Sequence, residues 1–280
     1  MSEQKAERIA KVIARAGLCS RREAERWIND GRVRVDGKTL DSPALTVDTT
    51  NIILVDGKPL PQAQETRLWR YHKPTGLVTS HNDPQGRPTV FEKLPPTMVR
   101  VISVGRLDIN SEGLLLLTND GELARRLEMP STGWVRRYRV RVRGTVDKNK
   151  LKSLQNGVTV AGIKYGAIEA ALDSETRTNA WLTVSLSEGK NREIRKVMEH
   201  LDLSVNRLIR LSYGPFQLGN LERGQVDEVP GKILRDQMSG DGPKATGKFR
   251  GAGWAKSKKA PKKKMRPIKK PTLSLKKSKR

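Results

Sequence analysis

The sequence predicts two folded parts of mixed helix and strand, followed by a basic segment with no core of its own. Three observations predict this. Apolar residues recur at i, i+3, i+4, i+7 in two short stretches, Ile9, Val12, Ile13 and Ala16, and Ile194, Val197, Met198 and Leu201. Strand-like runs end in Asp-Gly pairs at Asp36-Gly37 and Asp56-Gly57. The segment from Ser239 to Arg280 carries sixteen Lys/Arg against one acid, Asp241, and has few large apolar residues. Such a segment cannot bury enough surface to offset its ordering entropy, so it is expected to be disordered.

The first part is expected over residues 1–62. Gly17 closes its first helix, and Ser20 with Glu23 has capping-box spacing for a second. Trp27 and Ile28 anchor that helix, and Gly31 stands where a helix ends. Val33 and Val35 then lead into the first Asp-Gly turn, giving helix, helix, small sheet. Pro59, Leu60 and Pro61, with polar residues to Thr66, read as a linker. The second part is expected over 66–238. It opens on a strand from Leu68 into the turn Lys73-Pro74-Thr75-Gly76, and Asp83–Pro88 reads as a loop. Leu114–Leu117 reads as a buried strand beside the polar loop Asp108–Gly113, and Asn119 or Asp120 caps a following helix carrying Leu123 and Leu127. Arg137–Gly144 alternates, with Tyr138, Val140 and Val142 on one face and four arginines on the other.

Composition excludes several classes. The 280 residues carry 55 Lys/Arg and 30 Asp/Glu, a net charge of +25, which points to a polyanionic partner and above all to nucleic acid. One cysteine forms no disulfide framework and suits a reducing compartment. Cys19, His72, His81 and His200 are scattered without metal-ligand spacing or a visible partner. The longest apolar runs, Ile52–Val55 and Leu114–Leu117, are far too short for a membrane span, and residues 1–19 hold no apolar run of signal-peptide length. A soluble cytoplasmic protein is the expectation.

Arg15, Arg21, Arg22, Arg26, Arg32 and Arg34 gather around the corner between the two helices, where guanidinium forks suit phosphate oxygens. The string ARAGLCSRREAERWINDGRVRVDG resembles the small RNA-binding domain of ribosomal small-subunit protein four (S-four-like). Asp108, taken alone, is either a turn cap or a loop carboxylate placed for chemistry. The surrounding GRLDINSEGLLLLTNDGELARRL is similar to the signature of ribosomal RNA pseudouridine synthases of the RsuA/RluB type. The likeness includes YHKPTGLVTSHNDPQGRPTVFEKLP, RRYRVRVRG, SEGKNREIRKVMEHL and RLIRLSYGPFQLGNLERGQ, and spans residues 66–230.

The resemblance implies an α+β catalytic domain on a mixed, mainly antiparallel sheet with a central cleft. It implies isomerisation of uridine to pseudouridine in ribosomal RNA, of the large subunit rather than the small, with no cofactor or metal. Asp108 matches the carboxylate that acts on the ribose, as nucleophile or as base. Arg106 matches the arginine of the same motif, expected to hold RNA or fill the gap of a flipped base, or else to form a structural ion pair. Tyr138 matches an active-site tyrosine, with core packing as its alternative. Arg195 lies on the shoulder of its helix's buried stripe and matches the arginine that pairs with the Asp; Arg192 and Lys196 project away from that stripe. Lys190 and Arg192 are expected on the RNA. The four arginines of the alternating strand form either an RNA track or the solvated side of a strand. The expected partner is ribosomal RNA or an assembling subunit, met by a monomer. Two other readings predict different chemistry: a catalytically dead assembly factor, and a metal-dependent nuclease using Asp108 and Glu112.

Overall fold

The computed structural model describes residues 6–239. Apart from Ser239, the segment expected to be disordered lies outside the described residues. The N-terminal module begins with β1 (Glu7–Arg8), α1 (Ile9–Arg15) and α2 (Arg21–Asn29). Ser20 caps α2 by accepting the Glu23 amide at 3.1 Å, as its spacing predicts. Next come β2 (Val33–Val35), β3 (Lys38–Thr39), β4 (Thr46–Val47), β5 (Ile53–Val55) and β6 (Lys58–Pro59). Asp36-Gly37 and Asp56-Gly57 turn with positive φ at both residues, the backbone of a tight hairpin. One small core, built on Ile9, Ile13, Ala24, Ile28, Val33 and Val55, holds the module together, and Cys19 packs into it. Burial pushes the Cys19 thiol up to about 11. Pro59 belongs to edge strand β6 and Leu60 packs on the core, so the linker starts later than expected. Proline is tolerated there because an edge strand leaves one side without ladder bonds.

The rest of the chain is organised by one nine-stranded sheet. Its strands are β7 (Leu68–Lys73), β8 (Ile102–Val104), β9 (Glu112–Thr118), β10 (Arg136–Arg143), β13 (Ile168–Glu175), β14 (Asn179–Leu186), β15 (Ser204–Tyr213), β16 (Phe216–Gln217) and β17 (Val226–Glu228). The order is β13-β14-β10-β15-β9-β7-β17, with β16 on β15 and β8 on β9. All neighbours are antiparallel except β9 and β15, which run parallel at Ile209↔Glu112 and Arg210↔Gly113. The mixed, mainly antiparallel sheet is thus present. A side hairpin, β11 (Val158–Val160) with β12 (Ile163–Tyr165), completes the strands.

Both faces of β9 are buried, which explains its unbroken apolar run. Leu115 and Leu117 enter the larger core, closed by α4 (Lys148–Ser153) and α5 (Glu193–His200). Leu114 and Leu116 enter a second core on the opposite face, closed by α3 (Gly121–Glu128) and α6 (Gly231–Ser239). Each of these four leucines has no exposed surface, worth about 2 kcal/mol apiece. Asp120 caps α3, while Asn119 accepts the Arg67 amide and donates to the Glu65 carbonyl. Two of the three histidines have partners that the sequence hides: His72 Nδ1 lies 2.7 Å from the Leu221 carbonyl, and His81 stacks on Phe91 at 3.5 Å. Among the described residues, no helix is long and apolar enough to cross a membrane.

Candidate active site

The loop between β8 and β9 carries Asp108, and it is fixed from below. Lys73, the last residue of β7, is wholly buried. Its ammonium donates to the carbonyls of Pro74, Asp108 and Ser111 at 3.0, 3.1 and 2.9 Å. Burial lowers Lys73 to about 8, against the opposing pull of Asp108 and Glu112. The Thr79 hydroxyl donates to the Leu107 carbonyl at 2.9 Å, and the Gly76 amide donates to the Ile109 carbonyl at 2.7 Å. Gly113 follows with φ +107, and a β-carbon there would collide with the Arg210 backbone. Only glycine lets β9 approach β15 so closely.

Above this loop lies a cleft of about 830 Å³, within the range of a small-ligand site. Asp108, Arg106, Tyr138, Lys190, Arg192 and Arg195 all line it. The sequence therefore named residues that the fold brings together from positions up to 89 apart. Asp108 is partly exposed, and its Oδ2 lies 3.6 Å from Arg192 Nη1. Tyr138 is 8% exposed, with Val184 and Arg210 as its cross-strand neighbours. Arg106 is exposed and has neither a hydrogen bond nor an ion pair among the described residues.

One expectation is corrected. The residue whose side chain forms an ion pair with Asp108 is Arg192, not Arg195. Arg195 does reach inward, but its Nη2 donates to the Asn110 carbonyl at 2.9 Å and its Nη1 to the Val205 carbonyl at 3.1 Å. It braces the loop two residues beyond Asp108. The helical projection misplaces Arg192 because this residue is not yet helical. It precedes α5 with φ +51, a left-handed backbone that turns its side chain toward the cleft. Burial lowers the Arg195 guanidinium, as does the like charge of Arg192, with Asp108 acting in the other direction.

Glu112 is corrected as well. It is not a loop residue but the first residue of β9, nearly buried, and it pairs with Arg207 and, at 3.1 Å, with Arg223. It shares the face of Leu114 and Leu116, opposite the cleft, so it is no companion of Asp108 at a metal. Among the described residues no cluster of His, Cys, Asp or Glu could hold one.

Sequence reasoning missed Arg210, which lines the cleft while 3% exposed. Its Nε donates to the Leu114 carbonyl at 2.7 Å, its guanidinium lies 5.2 Å from the Tyr213 ring, and its Nη2 is buried with no hydrogen-bond partner among the described residues. A signal existed: Leu208, Arg210 and Ser212 alternate inward along β15. Arg136 was also passed over; it binds the Ser187 and Glu188 carbonyls at 2.7 and 2.8 Å. Glu193 is buried beside it, raised by burial, with Oε2 accepting the Lys190 amide at 2.8 Å. Lys190 donates to the Lys164 carbonyl and to Glu188, both at 2.7 Å.

In the N-terminal module the six arginines differ in their engagement. Arg15 pairs with Glu7 at 2.9 Å and with Glu122 at 3.7 Å, Arg26 with Glu23, and Arg32 with Asp56 at 2.6 Å while lying over Trp27. Arg34 reaches Thr39 at 3.3 Å. Arg21 and Arg22 are exposed on the first turn of α2, without an acid partner among the described residues.

The fold and the cleft, a loop carboxylate faced by arginines and a tyrosine, define an enzyme that handles an anionic substrate. Residues 67–200 match the model of the RNA pseudouridylate synthase family, and residues 7–53 match the S4 domain. The chain is 50% identical over 228 residues to an uncharacterized RNA pseudouridine synthase of Rickettsia felis, covering 81% of this chain and 99% of that one. It is 43% identical over 230 residues to ribosomal large subunit pseudouridine synthase B of Yersinia pestis, covering 80% and 72%. A solved pseudouridylate synthase shares the fold, with a TM-score of 0.57 at 24% identity over 81% of this chain and 98% of that one. The chain belongs to the RNA pseudouridine synthases.

Proposed function

We propose that the chain isomerises specific uridines in ribosomal RNA, those of the large subunit, with Asp108 as the catalytic carboxylate. The observation that carries this reading is the placement of Asp108: a partly exposed carboxylate at the cleft, on a loop held by Lys73, Thr79 and Arg195. The likeness to ribosomal large subunit pseudouridine synthase B of Yersinia pestis supports the large subunit.

The reaction breaks the bond from ribose C1′ to uracil N1, turns the base, and joins C1′ to C5. C5 loses a proton and N1 gains one, so there is no net redox change and no cofactor is required. The target base must leave its stack to reach the cleft. Breaking the glycosidic bond builds positive charge on the ribose, which Asp108 meets as nucleophile or as base. Arg192 orients the carboxylate at 3.6 Å and stands ready for a phosphate. Tyr138 offers its ring to the uracil, and Arg106 occupies the space the base vacates. On this reading the enzyme acts as a monomer in the cytoplasm, on ribosomal RNA or an assembling subunit.

The test is tritium release from 5-tritiated uridine in unmodified large- and small-subunit RNA, for wild type and Asp108→Asn, with and without chelator. Release by wild type alone, from large-subunit RNA and indifferent to chelator, is expected. Release by the Asn variant would remove Asp108 from the chemistry. Release from small-subunit RNA alone would reassign the substrate.

A further inference from the structure

Strand β10 divides its side chains between two environments. Tyr138, Val140 and Val142 enter the larger core, while the alternate arginines occupy the other face, on which Arg141 and Arg143 are exposed. At the β7–β9 end that face is covered by α3 and α6. Among the described residues no helix covers it over β10, β14 and β13. The strands beside β10 extend the face in register: Arg141 lies between Trp181 of β14 and Arg207 of β15. Trp181 is only partly buried, with the guanidinium of Arg139 4.6 Å from its ring and that of Arg207 6.0 Å.

Solvation alone explains exposed polar residues on an open sheet face, but not their sign. The cross-strand partners of Arg141 are a tryptophan and another arginine; those of Arg143 are Asn179 and Ser204. Like charges placed directly opposite destabilise a sheet, so the Arg141–Arg207 pair works against folding. Among the described residues no acid pairs with Arg141. Glu112 is shared between Arg207 and Arg223, and Asp173 on the outer strand accepts from Thr183 at 2.9 Å. Arg141 and Arg143 have neither an ion pair nor a hydrogen bond among the described residues. Arg141 and Arg143 are alternate residues of one strand, about 6.6 Å apart, so the two can meet two successive phosphates.

We propose that this outer face of β10, β14 and β15 binds the sugar–phosphate backbone of an RNA segment other than the one whose uridine enters the cleft. The inference rests on the ribosomal RNA reading above. The cleft and the arginine face lie on opposite sides of one sheet. A short stem that fills the cleft does not reach the far face, and a long folded RNA does. The enzyme then recognises how two RNA segments are arranged in space.

The experiment compares the full chain with Arg141→Glu/Arg143→Glu and with Arg141→Lys/Arg143→Lys. The probes are unmodified large-subunit RNA and an oligouridylate of about ten nucleotides. For the Glu pair, affinity for the long RNA falls about tenfold or more, and the slope of log affinity against log salt drops by roughly 1.5, two phosphate contacts' worth. Oligouridylate affinity stays within about twofold, and tritium release at saturating long RNA is unchanged. The Lys pair keeps the slope. An unchanged slope and affinity on the long RNA would overturn the proposal, as would an equal loss on oligouridylate, which would mean that the residues act through the cleft. If the wild type releases no tritium but the slope still falls, the surface stands and the pseudouridine assignment is what fails.

Discussion

Asp108 and Glu112 are separated by three residues and by the thickness of a sheet. The Asp108 side chain is 32% exposed and meets one guanidinium at 3.6 Å. The Glu112 side chain is 4% exposed and meets two, Arg207 and Arg223. The two carboxylates have the same chemistry. What differs is the strand alternation, which turns Glu112 to the outer face while the loop leaves Asp108 at the cleft. Saturated by arginines and shut from water, Glu112 is a clamp between β9, β15 and the segment before β17. Loosely paired and reachable, Asp108 is the carboxylate that we propose exchanges its partner for a substrate. Role follows environment rather than residue type.

Four variants test this contrast. Asp108→Asn should have the largest effect: tritium release falls at least a thousandfold, about 4 kcal/mol of barrier, with RNA affinity within a few-fold. A large loss of affinity instead would put Asp108 on the structural side of the comparison. Lys73→Met should cost about 3 kcal/mol of stability in urea titrations, because three buried carbonyls lose a charged donor. That cost carries a pH signature. Lys73 is near 8 when folded and near 10.4 when unfolded, so between those values the unfolded chain binds the extra proton. Wild-type stability therefore rises from pH 8 to about 10.5 relative to Lys73→Met. A flat difference across that window would show that the amine is not buried as described. Glu112→Ala should cost about 2 kcal/mol, at the low end for a buried pair because its arginines are partly exposed. Its tritium release per folded molecule should hold; a collapse like that of Asp108→Asn would erase the distinction between the two acids. Arg21→Ser/Arg22→Ser should act least, weakening RNA affinity about fivefold with the rate at saturation unchanged. Loss of that rate would show that the module takes part beyond binding.

Local signals carried much of the fold. Ser20 with Glu23, the two Asp-Gly turns, the cap at Asp120 and the leucines of β9 are all written within a few residues of where they act. The parallel join of β9 to β15 was not legible, since pairing across some 97 positions leaves no local trace. The same divide runs through the site. Asp108 and Tyr138 stood out by motif, whereas Arg210 needs Leu114, 96 residues away, to explain its burial. Arg192 was misjudged because a helical projection assumes a helix, and its backbone lies in the left-handed region.

The N-terminal module shares no core residue with either large cluster. Lys11 and Arg15 of α1 instead reach Glu122 on the first turn of α3. These ion pairs contribute to the joint a strength that is set by the surrounding electrolyte. In dilute salt these pairs favour one placement of the module on α3. As salt rises, the joint loosens and phosphate contacts weaken together, so one solution variable governs both how tightly RNA is gripped and how accurately it is aimed.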